Sequence, residues 1–297
     1  MGHDLHETGQ GFSLSSCRGT GGGIIKTAVI VAAGMGKRLG SRTNGRPKGF
    51  LIIDEKPIIE HSIAKLLEAG IDKIVIGTGY VSEMYEHLAS QYPQIQCVCN
   101  ERYESTGSMY TLYQLKDYIS EDFLLLESDL IYEKKALRRL LEEERQDVIL
   151  ASTFTHSGDE VFIETDEDHY LVNLSKRAED LGSIYAELVG ITKLSYTAFE
   201  ALCRYVAKIL PTASTLDYEN ALIGISKDVK LFVQRLHDLA WCEVDDESHW
   251  NRAALQIYPL IQAREADRSN GGWQGGEADG HTKAEIGRRG YGDQSGK

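Results

Sequence analysis

The chain is short of positive charge: 32 lysines and arginines stand against 45 aspartates and glutamates, a formal net charge of −13 over 297 residues. That balance argues against nucleic acid or an anionic membrane as the main partner, because both require an extended basic face. Long apolar runs are also missing, and no stretch approaches the ~20 residues of a bilayer-spanning helix. The opening residues, MGHDLHETGQGFSLSSCRGTGGG, have no apolar centre of the kind a secretory leader carries. The five cysteines, Cys17, Cys97, Cys99, Cys203 and Cys242, are scattered and contain no CxxC pair. Such usage speaks against a disulfide framework or a zinc site and for a reducing cytoplasm. Two common nucleotide motifs, GxGxxG and GxxxxGK(S/T), are absent, and there is no internal repeat. The remaining composition, 42% hydrophobic and 26% charged, leaves room for one large α/β domain.

The positive charge that is present is concentrated. After the apolar run Ala28-Val29-Ile30-Val31 comes AAGMGKRLGSRTNGRPK, residues 32–48. Gly34, Gly36 and Gly40 allow tight turns that bring backbone N–H groups up to phosphate oxygens. Lys37, Arg38, Arg42, Arg46 and Lys48 supply local charge in an acidic chain, and Pro47 fixes the place from which Lys48 is presented. The segment reads as a nucleoside-triphosphate loop.

Short β-branched runs then alternate with helical patterns. Strands are expected over 28–31, 73–77, 95–99, 123–126 and 148–152, with helices over 58–69, 81–90, 108–119 and 133–144. Near-continuous apolar strands separated by helices predict a Rossmann-like, mostly parallel sheet sandwiched by helices. The ligand crevice is then expected at the carboxyl ends of the strands, where the glycine loop begins. After residue 153 the pattern changes: an antiparallel hairpin over 160–164 and 170–174, strands over 184–191 and 229–236, and helices over 196–208 and 246–262. Residues 1–25 and the glycine-rich 263–297 read as disordered tails around a 26–262 domain, with a small antiparallel acceptor-binding lobe roughly over 153–230.

Phosphoryl chemistry on a triphosphate calls for Mg²⁺ held by one or two carboxylates. Phe123-Leu124-Leu125-Leu126-Glu127-Ser128-Asp129 ends a strand on two acids that extended geometry places on the same side. Trp241-Cys242-Glu243-Val244-Asp245-Asp246 offers a second set. The competing structural reading is that these acids cap the helices that follow them.

Together, AAGMGKRL, the Pro47-Lys48 pair, Glu127-Ser128-Asp129 and Glu243-Val244-Asp245 resemble the phosphocholine and 2-aminoethylphosphonate cytidylyltransferases, which are GT-A-like nucleotidyltransferases. LLLESDLIYEKKAL (124–137) and IYAELVGITKLS (184–195) are more similar to the aminoethylphosphonate branch. The resemblance implies that Ala32, Ala33 and Gly34 meet cytosine and ribose, and that Gly36, Lys37 and Arg38 meet the β- and γ-phosphates. It implies Lys48 on the α-phosphate, Gly107 facing the base, Ser108 facing the acceptor, and Lys176 on the phosphonate or α-phosphate. Mg²⁺ falls to Asp129 and Asp245. For the acceptor's far end the chain offers aromatics (Tyr110, Tyr132, Tyr185, Tyr218, Trp241) and carboxylates (Glu187, Asp217, Glu219). Glu187 interrupts an apolar strand and needs a partner, which favours a primary amine over a quaternary one. The partners expected are CTP and a small phosphonate or phosphate amine, with a homodimer left open. A sugar-1-phosphate nucleotidylyltransferase, a catalytically silent nucleotide-binding protein and, more weakly, a dehydrogenase are the rival readings.

Overall fold

The computed structural model describes residues 23–270. Strand β1 (Thr27–Ala32) is wholly buried, and its residues alternate between two apolar clusters. Ala28, Ile30 and Ala32 face one, and Val29 and Val31 the other. A short antiparallel pair, β2 (Ile52–Ile53) and β3 (Lys56–Pro57), leads into α1 (Ile58–Glu68). Then come β4 (Lys73–Thr78), α2 (Ser82–Ala89), β5 (Ile95–Cys99), α3 (Ser108–Gln114) and β6 (Phe123–Glu127). The middle of the chain forms β7 (Leu130–Tyr132), α4 (Lys135–Glu142), β8 (Val148–Ser152), the hairpin β9 (Phe162–Thr165) and β10 (Leu171–Ser175), and β11 (Ala186–Leu194). It continues through α5 (Tyr196–Ile209), α6 (Tyr218–Ile225), β12 (Phe232–Leu236), β13 (Trp241–Glu243), α7 (Glu247–Arg252) and α8 (Tyr258–Asn270).

Nine strands make the central sheet. β6, β1, β4 and β5 lie parallel in that order, as do β8 and β12. β11 runs antiparallel to β6, β8 and β9 and joins the two parallel groups. Because both faces are covered, strand residues such as Ile30, Ile74, Leu124 and Leu126 are fully buried; each such side chain contributes about 1.5–3 kcal/mol. A third, smaller cluster joins Leu39 of the glycine loop, Ile131, Val244, Ala253 and Ile261 of α8. No helix among the described residues is long and apolar enough to cross a membrane.

Several boundaries differ from the sequence reading. The hairpin β9–β10 extends the edge of the central sheet. The segment 130–132 is strand, because it pairs with β13, and α4 starts only at Lys135. α6 has no counterpart in the sequence reading, and α8 runs on to Asn270, past the expected end at 262. Of the two expected tails, 1–22 and 271–297 lie outside the described residues.

The register sets up the site. Val31 pairs with Glu127 and Ala32 with Thr78, so the glycine loop and the Glu127–Asp129 acids leave adjacent strand ends. β13 brings Glu243 beside Leu130, and the Val244 N–H donates to the Asp129 carbonyl at 3.1 Å.

Candidate active site

From the end of β1 the chain turns through Gly34 into a 3-10 segment, Lys37–Thr43. Gly36 has φ +59°, and a Cβ there would sit 2.7 Å from the Lys48 Cγ. Only glycine combines that backbone with the close passage of the Lys48 side chain. Pro47, extended at φ −62°, precedes a second 3-10 turn that starts at Lys48.

Six alternating charges converge here. Lys48 Nζ donates to Asp129 at 2.7 Å and also to Asp245. Arg38 Nη2 reaches Asp245 at 2.9 Å and Nη1 reaches Asp159 at 2.6 Å. The other Asp159 oxygen accepts from Lys176 Nζ at 2.8 Å. The order is therefore Lys176, Asp159, Arg38, Asp245, Lys48, Asp129. Burial alone would depress the Lys48 ammonium, but Asp129, Asp245 and Glu243 overcome it and hold the amine above its ordinary value. Burial likewise opposes ionisation of Asp245, yet Lys48 and Arg38 keep its carboxyl below the usual carboxylate range.

Behind Lys48 lie acids whose burial the same lysine offsets only in part. Carboxylate oxygens of Glu127, Asp129 and Glu243 all come within 4.8 Å of one another. Burial, reinforced by Asp129 and Glu219, pushes Glu127 up, although the Tyr218 hydroxyl donates to it at 2.6 Å. Burial and the neighbouring Glu127, Asp129 and Asp245 push Glu243 up. Acids this close raise one another unless a cation joins them, and their oxygens suit a hard divalent ion or an ammonium. β11 bulges beside them at Gly190, where φ is +81° and a Cβ would lie 3.1 Å from the Glu127 carboxyl carbon. A cavity of about 70 Å³ opens alongside, lined by Glu127, Glu187, Glu219, Glu243, Trp241 and Lys176 among others.

A MobA-like NTP transferase domain matches residues 28–193, more than half of the chain. The chain belongs to that family. It is a nucleotidyltransferase. The CMP-5'-(3-aminopropyl)phosphonate synthase of Streptomyces rubellomurinus is 27% identical over 267 residues, covering 85% of this chain but only 42% of that protein. The 2-aminoethylphosphonate cytidylyltransferase of Lancefieldella rimae is 27% identical over 181 residues, 60% of this chain and 71% of that one. The CTP:phosphocholine cytidylyltransferase structure from Streptococcus pneumoniae superposes with a TM-score of 0.65 at 21% identity, covering 77% of this chain and 98% of that one. At that identity the likeness establishes the fold alone.

The nucleotidyltransferase brings together most of the residues singled out from the sequence. Arg38, Lys48, Lys176, Asp129 and Asp245 share the charge chain. Asp246, not Asp245, caps α7 by accepting from the His249 N–H at 2.9 Å, and this leaves Asp245 to the lysine. α4 has no side-chain cap, so Asp129 does not serve it. Ala32 and Ala33 stand at the end of β1, with Gly34 and Lys37 exposed beyond them. Gly107 and Ser108 start α3.

The four expected acceptor residues separate. Glu187 and Glu219 line the cavity. Ser108 and Asp217 are not part of that lining; the Ser108 hydroxyl donates to Asp217 at 3.2 Å and accepts from the Tyr218 N–H at 2.9 Å. Glu187 finds its partner inside the chain, accepting from the N–H and the hydroxyl of Thr155 at 2.6 and 2.7 Å. Asp159, Glu127 and Glu243 were not singled out as site residues in the sequence. Glu127 and Glu243 stand in the acidic strings already quoted, whereas Asp159 acquires meaning only through its two cations.

Proposed function

We propose that the enzyme transfers CMP from CTP to 2-aminoethylphosphonate, releasing pyrophosphate. The observation that carries the acceptor assignment is the cavity, whose lining holds Glu127, Glu219 and Glu243 but a single tryptophan, Trp241. A primary ammonium is served by carboxylates, whereas a quaternary one requires an aromatic box. The other aromatics are occupied in packing. Tyr132 and Tyr218 are 1% and 2% exposed, and Tyr185 stacks on His169 with Arg235 over its ring. The cytidine assignment rests on the activities of the relatives to which the chain is similar.

In this reading a phosphonate oxygen attacks the α-phosphorus in line, the P–O bond to the β-phosphate breaks, and pyrophosphate departs. A phosphonate dianion is already nucleophilic, so no general base is needed and catalysis rests on positioning and charge. Lys48 offsets charge on the α-phosphoryl oxygens, Arg38 and the glycine loop steady the leaving group, and Lys176 orients the incoming phosphonate. Asp129 and Asp245 would hold Mg²⁺, which supplies neutralising charge at the phosphates when bound. Glu127, Glu219 and Glu243 are then left for the ammonium.

The decisive assay is pyrophosphate release with Mg²⁺ and CTP, with 2-aminoethylphosphonate and phosphocholine offered in parallel. Preference for the aminophosphonate supports the reading. Release with phosphocholine alone moves the enzyme to the choline branch, and silence with both overturns the acceptor class.

A pH signature accompanies it. Burial, then Asp217, pushes Glu219 up to about 7. An ammonium in the cavity favours the ionised form, so the acceptor KM should fall as pH rises from about 6 to 8, with Glu219→Gln flattening the profile. The same raised group makes the ligand-free fold lose stability as pH climbs through 7, because the folded state binds the proton more tightly than the unfolded one. A thermal melt across that range reads the sign, and a Tm that rises with pH counts against it.

A further inference from the structure

The loop between β8 and β9, residues 153–161, carries no sequence motif, yet it reaches into the charge chain at one point. Asp159 uses one carboxylate oxygen on Arg38, which belongs to the glycine loop, and the other on Lys176, which follows β10. The Asp159 side chain is only 19% exposed, while both cations are 54% exposed and long. Long exposed cations lose their geometry readily, because each carries several rotatable bonds.

The loop itself is fastened just ahead of the reach, at Thr155 and Ser157. Thr155 is bound twice by Glu187 of β11, and the Ser157 carbonyl lies 3.2 Å from His249 Nε2 of α7. Glu187 is 2% exposed and His249 4% exposed, so both anchors are buried. The carboxylate thus comes from a loop tied to buried groups and meets two long cations, of which Arg38 is also held by Asp245 and Lys176 by Asp159.

We infer that Asp159 is a positioning residue that holds Arg38 and Lys176 at the spacing the two reacting phosphates require, with Glu187 and His249 as its supports. This deepens the reading given above, because it assigns no new substrate and depends on Arg38 and Lys176 acting on phosphates. It also gives Glu187 a different task from acceptor binding. As exposed ion pairs these contacts do little for stability; their effect lies in preorganisation, where small displacements of a reacting group carry large rate penalties.

The test compares Asp159→Asn and Asp159→Glu with wild-type enzyme. Asp159→Asn is expected to lower kcat on the order of 10-fold, to leave the KM for CTP within about 3-fold and the melting temperature unchanged, and Asp159→Glu to recover most of the rate. Acetylation of Lys176 by an amine-reactive ester, read by mass spectrometry without substrate, should be faster in Asp159→Asn and near wild type in Asp159→Glu. An unchanged kcat, a loss that glutamate does not rescue, or unchanged Lys176 reactivity overturns the assignment. Should wild-type enzyme turn over neither acceptor, the proposed reaction falls, while the labelling comparison still decides whether Asp159 holds Lys176.

Discussion

Lys48→Ala is expected to lower kcat by about 10²–10³-fold, roughly 3–4 kcal/mol of transition-state stabilisation, by the scale of a lost oxyanion donor. CTP should still bind within about an order of magnitude of the wild-type affinity, since the glycine loop and Arg38 remain. The reason is geometric: Pro47 fixes the backbone, Gly36 leaves a groove for the stem, and Asp129 and Asp245 aim the ammonium. Removing it leaves Asp129, 7% exposed, without its cation, and Asp245, 3% exposed, with Arg38 alone. A melt of the ligand-free variant should therefore show destabilisation, and Mg²⁺ should recover part of it. Single-turnover kinetics with CTP binding measured in parallel separates the two effects. A Lys48→Ala enzyme whose loss lies wholly in KM would sink the assigned role.

Asp245→Asn is the second large effect, expected at about 10²-fold in kcat with a raised Mg²⁺ requirement. Asp245 touches both Lys48 and Arg38, so the substitution disturbs two cations at once. Residues that act as one unit are strongly non-additive. The double variant Lys48→Ala/Asp245→Asn should therefore be about as slow as the slower single one. Losses that multiply would mean that the two side chains work independently, against the shared-site reading.

Much of this was legible in the chain. β5 and β8 fall where their β-branched runs place them, and the loop at 32–48 stands out through glycine and charge together. What was hidden has physical causes. β7 and β13 are three residues each and make sense only as each other's partners. α6 is eight residues long and starts at Tyr218, whose ring is buried, so its periodicity has little length in which to show. Whether Asp245 or Asp246 caps α7 is decided by side-chain direction, which neighbouring aspartates do not reveal. The partner of Glu187 is a loop threonine, and no local pattern points from one to the other.

α8 is tied to the rest of the domain at several points. Arg264 reaches Glu133, which is 1% exposed and also accepts from the Ala240 N–H, while Glu265 accepts from the Lys134 N–H. Ile261 sits in the same small cluster as Leu39 of the glycine loop and Val244 next to Asp245. The last helix thus acts as a buckle: a protein cut at residue 262 would slacken the glycine loop and the carboxylate strand together, even though neither has been touched.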